Sequence, residues 1–265
     1  MPNFLQTVKE RVVIYDGAMG TNIQKRNPTL DDYWGKENCS EILVLSRPDI
    51  IREIHADFLR VGCDVVETNT FGGTGLVLGE FDLRDKVREI NVKAAQLARE
   101  VAQQFSTNDR PRFVAGSMGP TTKLPSLGHI GWDAMLASYE EQASALIEGG
   151  VDVLLIETCQ DLLQAKIATV AVFEAMRKND AESARCKVAH RVLEVRRRRG
   201  LHHRGLCPQC LLDELQPIEG RRVPSGVADR ARGQQCDAET IIRWRRGLVV
   251  AASRSTDQNR RDQNE

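Results

Sequence analysis

The sequence predicts an α/β fold in residues 1–180, built from four successive strand–helix units. Short β-branched or aliphatic runs recur near residues 12, 64, 112 and 152, as expected for buried parallel strands. Each run is followed by a longer segment with apolar residues at helical spacing. Charged, hydroxyl and amide residues come directly after each run. The polar residues therefore collect at the carboxyl ends of the predicted strands.

The first two units are marked by clear start and stop signals. Residues 11–15 (RVVIY) predict the first strand, which ends in a glycine-rich turn. Pro48 opens a predicted helix, and Gly62 stops it. Residues 65–66 begin the second strand, which ends in residues 67–71 (ETNTF) before a long amphipathic helix.

The third and fourth units repeat this pattern. Residues 112–115 predict the third strand and residues 132–147 the helix that follows it. Residues 151–156 (VDVLLI) predict the fourth strand, and residues 160–178 predict a helix with an aliphatic and alanine face. A fifth strand is expected shortly after Lys178, but the sequence pattern shows none.

Two architectures are compatible with this repetition: a (β/α)8 barrel and a doubly wound open sheet. No G-x-G-x-x-G follows the first strand, which argues against the dinucleotide-binding form of the open sheet. Polar residues after every strand match the face on which a barrel builds its active site.

Composition changes abruptly near residue 180. Residues 1–180 contain 19 Lys and Arg against 26 Asp and Glu, a net charge of −7. Residues 181–265 contain 18 against 11, a net charge of +7, and 17 of the 18 cations are Arg. Twelve of the 13 aromatic residues also lie before residue 181. We therefore predict two regions, a folded one over 1–180 and an Arg-rich tail of uncertain or no fold over 181–265.

Several protein classes are not expected. There is no run of about 18 apolar residues and no secretory signal, so we expect no membrane association. Seven cysteines without a dense framework indicate reduced thiols in a cytoplasmic protein.

Three polar residues at different strand ends could converge on one opening: Asp16, Asn69 and Glu157. Two carboxylates there could hold an ammonium group, and the backbone N–H groups of residues 17–21 could bind a carboxylate. An amino acid would carry both groups. The alternative is structural, with these side chains capping turns and satisfying loop backbone.

Six segments together resemble one known family. They are residues 16–21, 40–48, 54–67, 67–71, 115–121 and 156–158. Over about residues 8–178 the chain resembles the homocysteine S-methyltransferase family. Within that family it is most similar to the N-terminal homocysteine-binding modules of cobalamin-dependent methionine synthases. Four or more motifs in the right order are far more specific than a single glycine-rich turn.

The resemblance implies that residues 1–180 form the first half of a homocysteine-binding (β/α)8 barrel, with four βα units. It implies a set of residues around homocysteine: Asp16, Gly17, Ala18, Met19, Gly20, Thr68, Asn69 and Glu157. It also implies methyl transfer to homocysteine, giving methionine. Zinc would hold the sulfur as a thiolate, which would attack the methyl group of methylcobalamin. Cobalamin- and folate-binding modules would be partners in the complete enzyme.

The chain departs from the family at the metal ligands. The family takes its zinc cysteines from a Gly-x-Asn-Cys strand end and a Gly-Gly-Cys-Cys-Gly turn, and neither motif is present. Cys39, Cys63 and Cys159 match none of those positions. We therefore assign no catalytic residue and no metal site, and we expect a chain that is incomplete and inactive as a methyltransferase.

Three interpretations of the tail remain open. A change of reading frame near codon 180 would explain the simultaneous loss of periodicity, aromatics and lysine. A small metal module could use Cys207 and Cys210, which have C-x-x-C spacing. Its further ligands would come from Cys186, His190, His202, His203 and Cys236. An arginine-rich nucleic-acid-binding arm is the third, but scattered acids interrupt its basic stripe. The alternative to the enzyme is thus a non-enzymatic binding module with a basic nucleic-acid- or zinc-binding tail.

Overall fold

A computed structural model describes residues 4–179 and the backbone of residues 187–191. The chain divides into two compact units, one of residues 1–5 and 13–194, the other of residues 6–12 and 195–265. Apart from residues 187–191, the predictions for the Arg-rich tail, including those for Cys207 and Cys210, lie outside the described residues. The first helix, Phe4–Glu10, lies mostly in the second unit, and the other elements described below belong to the first.

The described residues form eight α-helices and four strands, with four helices before the first strand and at least one helix between successive strands. The helices are α1 (Phe4–Glu10), α2 (Met19–Gln24), α3 (Leu43–Ser46), α4 (Pro48–Val61), α5 (Gly75–Leu78), α6 (Val87–Phe105), α7 (Trp132–Glu148) and α8 (Leu162–Lys178). The strands are β1 (Val65–Glu67), β2 (Phe113–Met118), β3 (Val153–Glu157) and β4 (Lys187–Arg191). None of the described helices is long and apolar enough to cross a membrane.

The four strands form one parallel sheet in the order β1-β2-β3-β4. Val65 is paired with Phe113, and Ala115 is paired with Val153. Long helices cross over between successive strands, as parallel pairing requires. The predicted α/β fold with parallel strands is confirmed.

The prediction for the first strand was only partly right. Residues 11–15 do not form a strand, and their pairing reduces to a single parallel bridge between Tyr15 and Val65. The backbone N–H of Ile14 donates to the Asp64 side chain, at 3.0 Å from Oδ2, instead of to a neighbouring strand. A carboxylate thus replaces a backbone acceptor there, and the Ile14 side chain remains 57% exposed.

The expectation that no fifth strand follows Lys178 was wrong. Strand β4 (KVAHR) pairs in parallel with β3, with Val153 opposite Lys187 and Glu157 opposite Arg191. Only two of its five residues are apolar, so periodicity could not distinguish this segment from the basic sequence around it. Backbone pairing with an ordered neighbour defines the strand instead.

The helix ends follow the predicted signals. Pro48 is the first residue of α4, and Gly62 ends that helix with a φ of 110°, a left-handed conformation that glycine adopts without strain. Helix α8 begins at Leu162 and not at Gln160, because the Asp161 side chain caps it by accepting from the N–H groups of Leu163 and Gln164.

Residues of the sheet alternate between two faces. One set packs in a hydrophobic core that includes residues of α6, α7 and α8: Val66, Val114, Met118, Leu154 and Ile156. The intervening residues share the opposite face by pairing and alternation: Tyr15, Val65, Glu67, Ala115, Ser117, Leu155 and Glu157. This second face ends in polar side chains at the carboxyl ends of the strands.

An Asp anchors the amino end of two strands in the same way. Asp64 accepts the backbone N–H of Ile14, and Asp152 accepts that of Val114 at 2.8 Å. A glycine lies two residues before each Asp. This glycine has a positive φ and ends the preceding helical segment. The glycine-x-aspartate sequence therefore joins each strand to the preceding segment of the sheet. The junction lies at the opposite end of the sheet from the polar side chains.

Candidate functional site

Three acidic residues lie at the carboxyl ends of the sheet, one after the isolated bridge and two at strand ends. Asp16 follows the bridge of the first segment, Glu67 ends β1 and Glu157 ends β3. The charges of Glu67 and Glu157 both act on Asp16. We call these three residues the acid cluster, and the convergence of Asp16, Asn69 and Glu157 on one ligand stays a prediction.

Two hydrogen bonds with residues of β1 hold Asp16 in the acid cluster. Its N–H donates to the Val65 carbonyl at 3.0 Å, and its Oδ2 accepts the Glu67 N–H at 3.0 Å. The second carboxylate oxygen, Oδ1, is buried and accepts no hydrogen bond. Burial and then the negative charge of Glu67 raise the pKa of Asp16 well above its usual range. A cation placed at Oδ1 would offset both effects.

Glu157 is oriented by the neighbouring strand. The Ser117 hydroxyl donates to its Oε1 at 2.7 Å, and the Glu157 side chain is buried. Thr158, the next residue, has a φ of 58°, which is uncommon for a β-branched residue. The chain thus turns sharply just after Glu157, leaving its carboxylate at the strand end.

Thr68 and Asn69 use their side chains within the protein. Thr68 Oγ1 lies 2.6 Å from Thr70 Oγ1 and accepts the Ser117 N–H at 3.0 Å. Asn69 Nδ2 donates to the Ser40 carbonyl at 2.7 Å. Their contacts fit the structural alternative, in which they build the loop that borders the acid cluster.

The glycine-rich turn lies at the surface beside the acid cluster. Gly17, Ala18 and Gly20 are exposed, and Met19 is half-buried at the start of α2. A Cβ on Gly17 would lie 3.3 Å from the ring of Phe58, so this position favours glycine. The turn is accessible to a ligand bound at the opening, although it is not part of the buried acid cluster.

Sequence reasoning missed three residues of this site: Tyr15, Glu67 and Ser117. Each lies on the polar face of the sheet together with Glu157. The available signal was the two-residue alternation of strands, which places Glu67 and Val65 on one face and Val66 on the other. In the sequence, Glu67 stands out only as part of the 67–71 motif.

The described cysteines are scattered and protonated. Cys39 and Cys63 are buried and Cys159 is half-buried. Burial raises the pKa of Cys39 and Cys63 to about 12 and that of Cys159 to about 11. Within residues 4–179, no three His, Cys, Asp or Glu side chains are grouped closely enough to hold a metal ion. These residues therefore do not fit a zinc ion held by three thiolates.

Comparison with known proteins identifies the family. The family model for homocysteine S-methyltransferase matches residues 13–193 of this chain. The chain belongs to the homocysteine S-methyltransferase family. Its match extends through β4, beyond the change in composition near residue 180.

Two curated relatives of this family member are methionine synthases. The chain is 46% identical over 174 residues to methionine synthase from Mycobacterium leprae (strain TN), and 45% identical over 174 residues to that from Mycobacterium tuberculosis (strain ATCC 25618 / H37Rv). These alignments cover 66% of this chain, but only 14% and 15% of the relatives. The chain thus spans about a seventh of the length of each.

Solved structures of the family share the fold. The metallated form of the homocysteine methyltransferase MmuM from Escherichia coli matches with a TM-score of 0.54 and 23% sequence identity. The match covers 68% of this chain and 63% of that one. The oxidized form of the same enzyme gives a TM-score of 0.52 at 22% identity. The described part of the chain is therefore a partial barrel of the TIM type, as the resemblance implied.

Proposed function

We propose that this chain binds homocysteine through the acid cluster, as the first half of a methionine-synthase-type barrel. Asp16 and Glu157 hold the ammonium group, and Gly17, Ala18, Met19 and Gly20 border the amino acid at the opening. Thr68 and Asn69 form the adjoining loop. Methyl transfer to homocysteine, giving methionine, is the reaction that this site serves in a complete enzyme.

One observation carries the proposal: Asp16 Oδ1 is buried, has no hydrogen-bond partner and lies among negative charges. A buried acceptor without a donor costs about 1–3 kcal/mol, and more for a charged group. An ammonium group supplies both the missing donors and the missing positive charge. A ligand that carries an ammonium group, such as an α-amino acid, therefore suits this position better than one without a cationic group.

We further propose that the chain does not catalyse methyl transfer by itself. When bound, zinc would supply the deprotonated sulfur of homocysteine. The described cysteines do not fit that role, and the family's cysteine motifs are absent from the sequence. The remaining half of the barrel and the cobalamin- and folate-binding modules are the parts that the proposed function still requires.

The proposal includes the division of the chain and its location. Residues 1–180 belong to the family's barrel half, the family match continues to residue 193, and the Arg-rich sequence beyond it is a non-homologous tail. The resemblance to metabolic enzymes and the reduced cysteines support a cytoplasmic location. Nucleic acid and membranes are not expected partners.

Isothermal titration calorimetry of the full chain with L-homocysteine under reducing conditions tests the binding proposal. Asp16→Asn removes the charge but keeps the shape, and we expect affinity to fall about tenfold or more because a charge-assisted contact is lost. Asp31→Asn, at an exposed position, is the control. Equal affinity in the wild-type chain and Asp16→Asn would refute the assignment.

Adding zinc and homocysteine to the purified chain tests the inactivity proposal. We expect no stoichiometric zinc after dialysis and no methionine when methylcobalamin is supplied. Stoichiometric zinc whose X-ray absorption spectrum gains a sulfur ligand with homocysteine would contradict the proposal.

A further inference from the structure

Tyr15 points toward the acid cluster, and the first strand's pairing places it there. Its bridge to Val65 sets the two residues on the same face of the sheet. Glu67, two residues along β1, lies on that face as well, and the register through β2 and β3 adds Glu157. The phenol ring is therefore carried on the same surface as Glu67 and Glu157.

The Tyr15 hydroxyl is buried and has no hydrogen-bond partner. A buried tyrosine hydroxyl normally finds a partner, because leaving it unpaired forfeits its hydrogen bonds to water. The other buried tyrosine gives the contrast, since the Tyr139 hydroxyl donates to the Gly119 carbonyl at 2.9 Å. Tyr15 therefore presents an unused donor inside the site.

The surroundings keep this hydroxyl protonated. Burial raises the pKa of Tyr15 far above its usual range, and the negative charges of Glu67, Asp16 and Glu157 raise it further. The phenol thus remains a donor at any pH at which the protein is studied. Among three acids that attract an ammonium group, it is a neutral donor that an anionic group can approach.

We propose that the Tyr15 hydroxyl donates a hydrogen bond to the α-carboxylate of the amino acid bound at the acid cluster. This assignment rests on the proposed function and adds a residue to it. Asp16 supplies an unpaired acceptor and Tyr15 an unpaired donor, and the two residues are adjacent in the chain. An α-amino acid carries the complementary pair, an ammonium donor and a carboxylate acceptor one carbon apart.

If Tyr15 has this role, removing its hydroxyl should preserve or raise the stability of the ligand-free protein and lower its affinity for homocysteine. In Tyr15→Phe the unpaired hydroxyl is removed, so the ligand-free protein should be as stable as the wild type or more stable. Homocysteine affinity should fall about tenfold or more, the effect of one hydrogen bond to a charged acceptor. Tyr139→Phe is the matched stability control, because it removes a hydroxyl that has a partner, and its melting temperature should fall.

The experiment measures binding of two ligands by calorimetry to the full-length wild-type chain and to Tyr15→Phe. The ligands are L-homocysteine and 3-aminopropane-1-thiol, which keeps the amine and the thiol but lacks the carboxylate. We expect Tyr15→Phe to lose affinity for homocysteine and to bind the aminothiol as the wild type does.

The outcomes separate this assignment from the proposed function. If the wild-type chain binds neither ligand, both fall. If the wild-type chain binds homocysteine and Tyr15→Phe binds it equally well, only the role of Tyr15 is overturned. An equal loss for both ligands would place the hydroxyl against the amine or the sulfur and would overturn the carboxylate contact.

Discussion

Glu41 Oε1 accepts a hydrogen bond from the backbone N–H of Gly72 at 2.7 Å, which joins two segments 31 residues apart. Beside it, the Ser40 carbonyl accepts from the Asn69 side chain. A Cβ on Gly72 would lie 2.9 Å from Glu41 Oε1, so the contact requires glycine. The Ser40–Glu41 pair thus fixes the loop that follows β1 and borders the acid cluster.

Glu41→Ala should reduce the free energy of unfolding by about 2 kcal/mol, because the buried Gly72 N–H would lose its acceptor. Glu41→Gln retains one side-chain oxygen and should lose about half as much. Urea unfolding of both variants checks this prediction. Equal losses would show that the charge of Glu41, and not its acceptor oxygen, stabilises the loop.

Gly73→Ala should destabilise the same loop by about 2 kcal/mol through overpacking. A Cβ there would lie 2.6 Å from Asn91 Oδ1 and 2.9 Å from the Thr70 carbonyl. Gly79→Ala is the matched control, since its φ is −64° and its nearest neighbour would be an Arg84 carbon at 3.9 Å. Thermal unfolding should separate the two variants, and similar melting temperatures would count against the packing at Gly73.

Asp152→Ala should lower the free energy of unfolding by about 2 kcal/mol, because the Val114 N–H loses its acceptor and the Arg99 guanidinium keeps only the Gly150 carbonyl. Asp152→Asn keeps an oxygen for Val114 and should lose less. Denaturant titration of both variants measures the difference. If the Asn and Ala variants lose the same stability, the ion pair with Arg99 contributes more than the hydrogen bond from the Val114 N–H.

Much of the fold was predictable because its signals are local. Pro48 and Gly62 bound α4 through backbone properties that each residue carries by itself. Strand β4 was not predictable, because its five residues have too few apolar side chains and are defined by pairing with β3. The first strand was overestimated because the Asp64 side chain, 50 residues away, takes the place of a backbone partner for Ile14.

The site was predictable where residues follow a strand directly. Asp16 and Glu157 lie at the same edge of the sheet because parallel pairing brings carboxyl ends together, and their role in binding stays a prediction. The roles of Thr68 and Asn69 depend on Ser117 and Ser40, which no local pattern connects to them. Tyr15 was missed because a tyrosine in a β-branched run is most simply a buried strand residue.

His55 should make stability depend on pH between about 6.5 and 4. Its imidazole is fully buried in α4, neither nitrogen has a partner, and burial lowers its pKa to about 4. The unfolded chain takes up the proton first as pH falls, so His55 stabilises the fold fully above about pH 6.5 and progressively less toward pH 4. The difference across this range is about 3 kcal/mol.

Comparing His55→Leu with the wild-type chain isolates this contribution. Stability curves from urea unfolding at several pH values should be flatter for the variant between pH 6.5 and 4, with other titrating groups common to both. Parallel curves would mean that His55 gains a proton as easily in the folded chain as in the unfolded one.

Asp16→Asn should stabilise the ligand-free protein at pH 7 while it weakens homocysteine binding. Burial and the charge of Glu67 raise the pKa of Asp16, so the folded state disfavours its ionised form. A raised pKa contributes stability below the pKa of the unfolded chain, and that contribution is lost as pH rises through the folded value. The neutral amide avoids this loss and keeps an oxygen for the Glu67 N–H.

Thermal unfolding of Asp16→Asn at pH 7 and at pH 3.5 measures the effect. The variant should melt at a higher temperature than the wild-type chain at pH 7, and the two should converge at pH 3.5, where Asp16 is protonated in both states. A variant less stable than the wild type at pH 7 would mean that the carboxylate is compensated within the chain. The unpaired oxygen of Asp16 would then no longer support a bound ammonium group. A carboxylate that is already compensated within the chain gains no stabilisation from the ligand.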